Sequence, residues 1–98
     1  MNMQAMLKQA QQLQKKMMDD KSAIDAKVFE GKSSLVTVTM TGDKKTKSVK
    51  INADDLNLDD IEMLEDMIMV AFNDVMSKID KETEDKMGKY TKGMPGLF

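Results

Sequence analysis

Three lysines, Lys8, Lys15 and Lys16, stand near the start of the chain among five glutamines (Gln4, Gln9, Gln11, Gln12 and Gln14), and no acid precedes Asp19. Lysine carries a compact point charge on a flexible stem, which suits it to holding phosphate. Helix stability does not explain this choice. Lysine in the early turns opposes the helix dipole, and Lys15 with Asp19 or Lys16 with Asp20 is the weaker order of an i,i+4 pair. The two readings are a polyanion-binding face and a plain solvated face, and phosphate binding accounts better for the absence of acids. Lys86, Lys89 and Lys92 form a second basic group with no acid among them. A third lies in TGDKKTKSVK, Thr41 to Lys50, where turn polarity and the protection of strand edges already give lysine a reason to be present. Lys44 and Lys45 are therefore auxiliary candidates.

The whole chain carries a formal charge of −2, but the charge is unevenly placed. Residues 1–50 hold ten lysines and five acids, net +5, and residues 51–98 hold five lysines and twelve acids, net −7. A polyanion responds to the local patch rather than to the total, so an acidic pI does not exclude it. Every basic residue is lysine. Without arginine's planar fork, a nucleic-acid binder of this composition holds phosphates and reads little base sequence.

Other chemistry is poorly supplied. There is no histidine and no cysteine, which removes the usual proton-transfer side chain, thiolate nucleophiles, disulfides and the common zinc ligands. The acidic pairs Asp54-Asp55, Asp59-Asp60 and Glu65-Asp66 are adjacent and point to different faces, and no calcium-loop pattern is present. We expect no enzyme, metal, cofactor or small-molecule substrate. Phe29, Phe72, Tyr90 and Phe98 are not spaced as a base-stacking platform. The longest apolar run, Met67 to Phe72, is far too short to cross a bilayer, so a membrane role is not expected and a cytoplasmic setting is.

These side chains must be positioned by few elements. Met3, Met6, Ala10, Leu13, Met17 and Ile24 mark a narrow apolar stripe at alternating spacings of three and four, with Asp20 breaking the series, which predicts a helix over 1–24 needing a partner helix along one seam. Residues 25–52, rich in valine and threonine, predict three antiparallel strands. If Gly42 faces Lys45 across Asp43-Lys44, then Val38 faces Val49, Val36 faces Ile51, Thr39 faces Ser48 and Thr37 faces Lys50. Apolar and polar faces then separate, and Lys47 falls opposite Met40. A turn through Gly31–Ser34 would set Phe29 opposite Val36, on the buried face.

A turn at Ala53–Asn57 leads to a long helix over 57–87, capped by Asn57 or Asp59 and stopped at Gly88, with 88–98 as a flexible tail. Ile61, Leu64, Ile68, Phe72 and Val75 form one apolar stripe of this helix; Met63, Met67 and Val70 form another. A helix apolar on two sides can cover its own sheet and still meet a second copy, which favours a homodimer. Met63, Met67, Ile68, Val70 and Phe72 are the candidate interface. Beyond Ser77 only Ile79 and Met87 remain apolar, as in an exposed arm or a partner for the seam on the first helix. The fold class is α+β, a single domain over 1–98 in the order α-β-β-β-α, with a three-stranded antiparallel sheet between two long helices.

MLKQAQQLQKKM, SLVTVTMTGDKKTKSVKI, LDDIEMLEDMIMVAFNDVMSKID and GMPGLF together resemble the YbaB/EbfC family of bacterial nucleoid-associated proteins, over nearly the whole chain. The sequence departs from the common pattern in its missing glycine-containing leader, its less glycine-rich Gly31–Ser34 turn and its lack of arginine. The resemblance implies a tweezer-shaped homodimer that binds double-stranded DNA with little sequence preference and is associated with the nucleoid. On that reading Lys8, Lys15, Lys16, Lys86, Lys89 and Lys92 contact phosphates, with Lys44 and Lys45 assisting. The rival from another class is a dimeric adaptor that holds a protein partner on its helical arms.

Overall fold

The computed structural model describes residues 2–52 and 58–93, with side chains at 2–52 and 59–90. Helix α1 covers Met3–Ala26 and helix α2 covers Ile61–Gly93, the latter entered through a 3-10 turn at Leu58–Asp60. Between them lie strands β1 (Val28–Ser33), β2 (Val36–Thr41) and β3 (Thr46–Ile51), paired antiparallel in the order β1-β2-β3. The molecule measures 72 × 20 × 14 Å, because both helices run well past the sheet.

Helix α1 starts where Asn2 caps it, its side-chain oxygen accepting from the Gln4 N–H at 3.1 Å. The following run of glutamine, alanine, leucine, methionine and lysine has good helix propensity and no glycine or proline.

The β2–β3 pairs Val36–Ile51, Thr37–Lys50, Val38–Val49 and Thr39–Ser48 are those expected. The turn that produces them differs. Thr41 N–H donates to the Lys45 carbonyl and Lys44 N–H to the Thr41 carbonyl, so the turn spans three residues, Gly42-Asp43-Lys44, not two. Lys44 takes the left-handed conformation (φ 66°) that closes such a turn. A bulge between Thr39 and Met40 restores the register: Met40 pairs with Thr46, and Lys47 is the extra residue. Lys47 therefore does not face Met40, and it is exposed.

The first hairpin also departs from expectation. Phe29 pairs with Met40 and Ser33 with Val36, so the turn is Ser34-Leu35, and Gly31 lies inside β1 opposite Val38. The shift preserves strand parity, which is why Phe29 still reaches the buried face. Gly31 belongs in the strand because α2 crosses it. A Cβ built there would lie 2.5 Å from Val75 N and 2.7 Å from Val75 Cβ. Ser33 Oγ donates to the Met67 carbonyl at 2.5 Å, and the Lys32 N–H to Asp74 Oδ2 at 3.0 Å, which fastens β1 to the helix.

The core consists of Ile24, Phe29, Val36, Val38, Met40, Ala71, Val75, Ile79, Met87 and Tyr90. Helix α2 covers β1 and β2 but not β3. Val49 and Ile51 consequently stay about two-fifths exposed (43% and 39%), although the residues they face, Val38 and Val36, are fully buried.

Helix α2 does not stop at Gly88. It continues to Gly93 because Met87 and Tyr90 on either side of that glycine are buried in the core, and packing outweighs local propensity. Residues 88–93 are thus helix, not tail. The expected turn at Ala53–Asn57, the Asn57 cap and the final residues 94–98 lie outside the described residues.

Candidate nucleic-acid interface

Helices α1 and α2 are clasped where the sheet ends. Lys27 Nζ pairs with Glu82 Oε1 at 2.6 Å, and Tyr90 Oη donates to Asp20 Oδ2 at 2.5 Å. Moving from Glu82 to Tyr90 on α2 thus corresponds to moving back from Lys27 to Asp20 on α1, so the helices run antiparallel. Gly42 completes the joint: its N–H donates to the Lys27 carbonyl at 3.0 Å, and its bare Cα lies against the Ile24 carbonyl. From there α1 extends away from the sheet, exposed along residues 2–16.

The Tyr90 hydroxyl holds the Asp20 carboxyl below its ordinary value of 3.8, aided by the nearby Lys89 and Lys16 charges against partial desolvation. Asp20 in turn raises Tyr90 above 10.0. A carboxylate with a lowered folded pKa adds stability above its unfolded pKa and loses it as pH falls through the folded value. Tyr90, raised, adds stability below 10 and loses it at higher pH. Tyr90→Phe is therefore expected to lower the melting temperature across the neutral range, and the gap to wild type should close on acidification below the Asp20 titration. A gap that persists at low pH would refute this coupling. Melting curves against pH measure it.

The lysines divide into two groups. Lys8, Lys15, Lys16 and Lys86 have no carboxylate within 4.0 Å among the described residues, and Lys47, Lys50 and Lys81 are also unpaired. Lys8 and Lys15 are seven residues apart, which places them on nearly one line about 10 Å apart along α1, with Lys16 roughly 100° around. Lys86 borders the groove between the helices with Asp20, Ala23, Ile24, Lys27 and Glu82. Other candidates are occupied. Lys89 pairs with Asp20 at 3.4 Å and lies 5.0 Å above the Tyr90 ring, Lys44 pairs with Asp80 at 2.9 Å, and Lys45 lies 3.7 Å from Asp43. Lys92 sits on the last helical turn, its side chain outside the described residues.

Of the five interface candidates, Met63 and Val70 face solvent, each more than half exposed, beside Ile61 and Met69. Met67, Ile68 and Phe72 are half-buried and pack against the core. The Tyr90–Asp20 clasp escaped the sequence reading. Its signal was present: Val75, Ile79, Met87 and Tyr90 continue one helical stripe through Gly88.

Among the described residues no helix is long and apolar enough to cross a membrane, and no three acids are grouped to hold a metal ion. The site is thus an extended helical arm that carries Lys8, Lys15 and Lys16, mounted on a small sheet and one long helix. The model of the YbaB/EbfC DNA-binding family matches residues 1–94, and the chain belongs to that family. It is 48% identical over 99 residues to a "Nucleoid-associated protein" of Ligilactobacillus salivarius, covering 99% of this chain and 95% of the relative. It is 50% identical over 97 residues to another of that name from Lactococcus lactis, covering 97% and 98%. The fold is shared with the crystal structure of an uncharacterized Helicobacter pylori protein at TM-score 0.74 and 17% identity, over 92% of this chain and 97% of that one.

Proposed function

We propose that this protein is a homodimeric, nucleoid-associated protein that binds double-stranded DNA mainly through phosphate contacts, with little sequence preference. The observation that carries this reading is the α1 arm. Lys8, Lys15 and Lys16 project from an exposed helix with no carboxylate within ion-pair reach among the described residues, whereas Lys21, Lys27, Lys32, Lys78 and Lys89 are each paired to an acid. Lysines needed only for internal electrostatics would be paired. Unpaired cations in a row can instead displace counterions from a polyphosphate backbone. Lys86, Lys89 and Lys92 extend the basic surface toward the C-terminal end of α2, Lys89 by exchanging Asp20 for phosphate, and Lys44 and Lys45 assist from the hairpin.

Uncovered apolar surface supports self-association. Met63 and Val70 on one flank of α2, Ile61 and Met69 elsewhere on it, and Val49 and Ile51 on the edge strand are all left about two-fifths to three-fifths exposed, apolar surface that a second copy would bury. The names of the relatives support assignment to the nucleoid.

A gel-shift series against salt and competitor DNA tests the reading. We expect binding at low salt, a steep linear fall of log K with log salt, and little difference between competitor sequences. A folded dimer that shifts no duplex at low salt would overturn it and leave the protein-adaptor reading standing.

A further inference from the structure

Among the described residues, the apolar stripe of α1 is covered by its own chain at one end only. Met17 and Ile24 join the core cluster with Met87 and Tyr90, while Met3, Met6 and Leu13 on the same stripe are 74%, 52% and 37% exposed. Helix α2 runs antiparallel to α1 and ends at Gly93, three residues past the Tyr90–Asp20 contact. At about 1.5 Å per residue Gly93 lies level with Met17, so the described part of the helix does not reach Leu13. Among the described residues, the α1 side of the seam therefore continues uncovered for about three turns.

The open part has a definite pattern. Met3, Met6, Ala10, Leu13 and Met17 are spaced alternately by three and four, which is the spacing of knobs packing into a facing helix. Such a seam calls for a second helix with the same spacing, and α1 itself supplies one in another copy. A two-fold antiparallel arrangement is self-complementary, with Met3 against Leu13 and Met6 against Ala10, as an isologous contact requires. At 100° per residue, Lys8 and Lys15 lie on the opposite side of the helix from the Met6–Ala10–Leu13 stripe. Pairing through the stripe keeps the two lysine rows apart, facing outward in opposite directions.

We propose that α1 arms from two copies of this chain pair antiparallel through Met3, Met6, Ala10 and Leu13, so that each presents its lysine row to a separate duplex and the pair bridges DNA. The bridging half rests on the DNA-binding reading above; the pairing half does not. A seam this short is weak on its own, and binding to DNA strengthens it by raising the local concentration of arms.

Two experiments decide it. The chain has no cysteine, so Met6→Cys and Ala10→Cys can be introduced singly, mixed and oxidised at high protein concentration without DNA. The 6–10 disulfide should form in preference to 6–6 and 10–10; the reverse preference, or no arm disulfide in a folded protein, overturns the pairing. In the second, immobilised duplex carrying wild-type protein is asked to capture a labelled second duplex. The exposed double variant Met6→Gln/Leu13→Gln should keep single-duplex affinity within about twofold and lose second-duplex capture by about tenfold or more, as loss of a multivalent link predicts. Equal capture by the variant overturns the bridge. If no duplex is bound at all, the DNA-binding reading fails instead, and the disulfide result still judges the pairing.

Discussion

Replacing Lys8, Lys15 and Lys16 together with glutamine should lower duplex affinity roughly a hundredfold at 0.15 M salt and reduce the log–log salt slope by about 2.7. Both figures come from one source. Each phosphate neutralised on B-DNA releases close to one counterion, so three lost contacts remove about 2.7 from the slope, and that slope acting between 1 M and 0.15 M amounts to about two orders of magnitude. Glutamine matches lysine closely in helix propensity, and all three positions are exposed, so the arm keeps its fold. Lys44→Gln/Lys45→Gln should cost much less, because Lys44 must first leave Asp80 and Lys45 must leave Asp43. Gel shifts at several salt concentrations, with circular dichroism as a control, give both quantities. Unchanged affinity and slope in a folded triple variant would remove α1 from the interface.

The second large effect concerns stability. Gly42→Ala should be among the most destabilising single substitutions in the chain. Its Cβ would land on the Ile24 carbonyl group, 2.6 Å from the carbon and closer to the oxygen, where the obstacle is backbone and cannot rotate away. Overpacking of this kind costs about 1–3 kcal/mol or more, and each kcal/mol lowers the melting temperature of a domain this size by about 4–8 °C. The damage should reach the arm, since Gly42 also donates to the Lys27 carbonyl where α1 leaves the sheet. Gly31→Ala should behave similarly, colliding with α2 at Ala71 and Val75. Gly88→Ala supplies the contrast. Among the described residues nothing lies within 4 Å of its new methyl group, and alanine in a helix interior is favoured over glycine by about 0.5–1 kcal/mol, so this variant should melt higher than wild type. Thermal melts of the three variants test it, and a Gly42→Ala protein as stable as wild type would refute the tight joint.

The three glycines also show where a single sequence is legible and where it is not. Alternation of apolar and threonine residues in β2 and β3 fixed their pairing in advance, since any odd shift would have turned Val36 and Val38 to solvent. The same alternation could not reveal that a three-residue turn and a bulge at Lys47 compensate each other, because their errors cancel within four residues. Gly31 and Gly88 resemble punctuation in sequence. Their actual surroundings, the crossing of α2 over β1 in one case and the burial of Met87 and Tyr90 in the other, are long-range contacts that local propensity does not encode. The candidate site divides in the same way. The acid-free lysines of α1 were legible because the absence of acids is itself written in the sequence. That Lys89, Lys44 and Lys45 are occupied by Asp20, Asp80 and Asp43 depended on how the chain folds back on itself.

Helix α2 carries the exposed Met63–Val70 patch near one end and the Tyr90 clasp near the other, within a single unbroken rod of roughly 50 Å. A rod of that length acts as a lever. The Lys27–Glu82 and Tyr90–Asp20 contacts fix α1 to the far part of that rod, so the direction of the arm is set relative to Met63 and Val70 by one rigid element. Gly88 lies between buried Met87 and Tyr90, so the rod runs through it without a break.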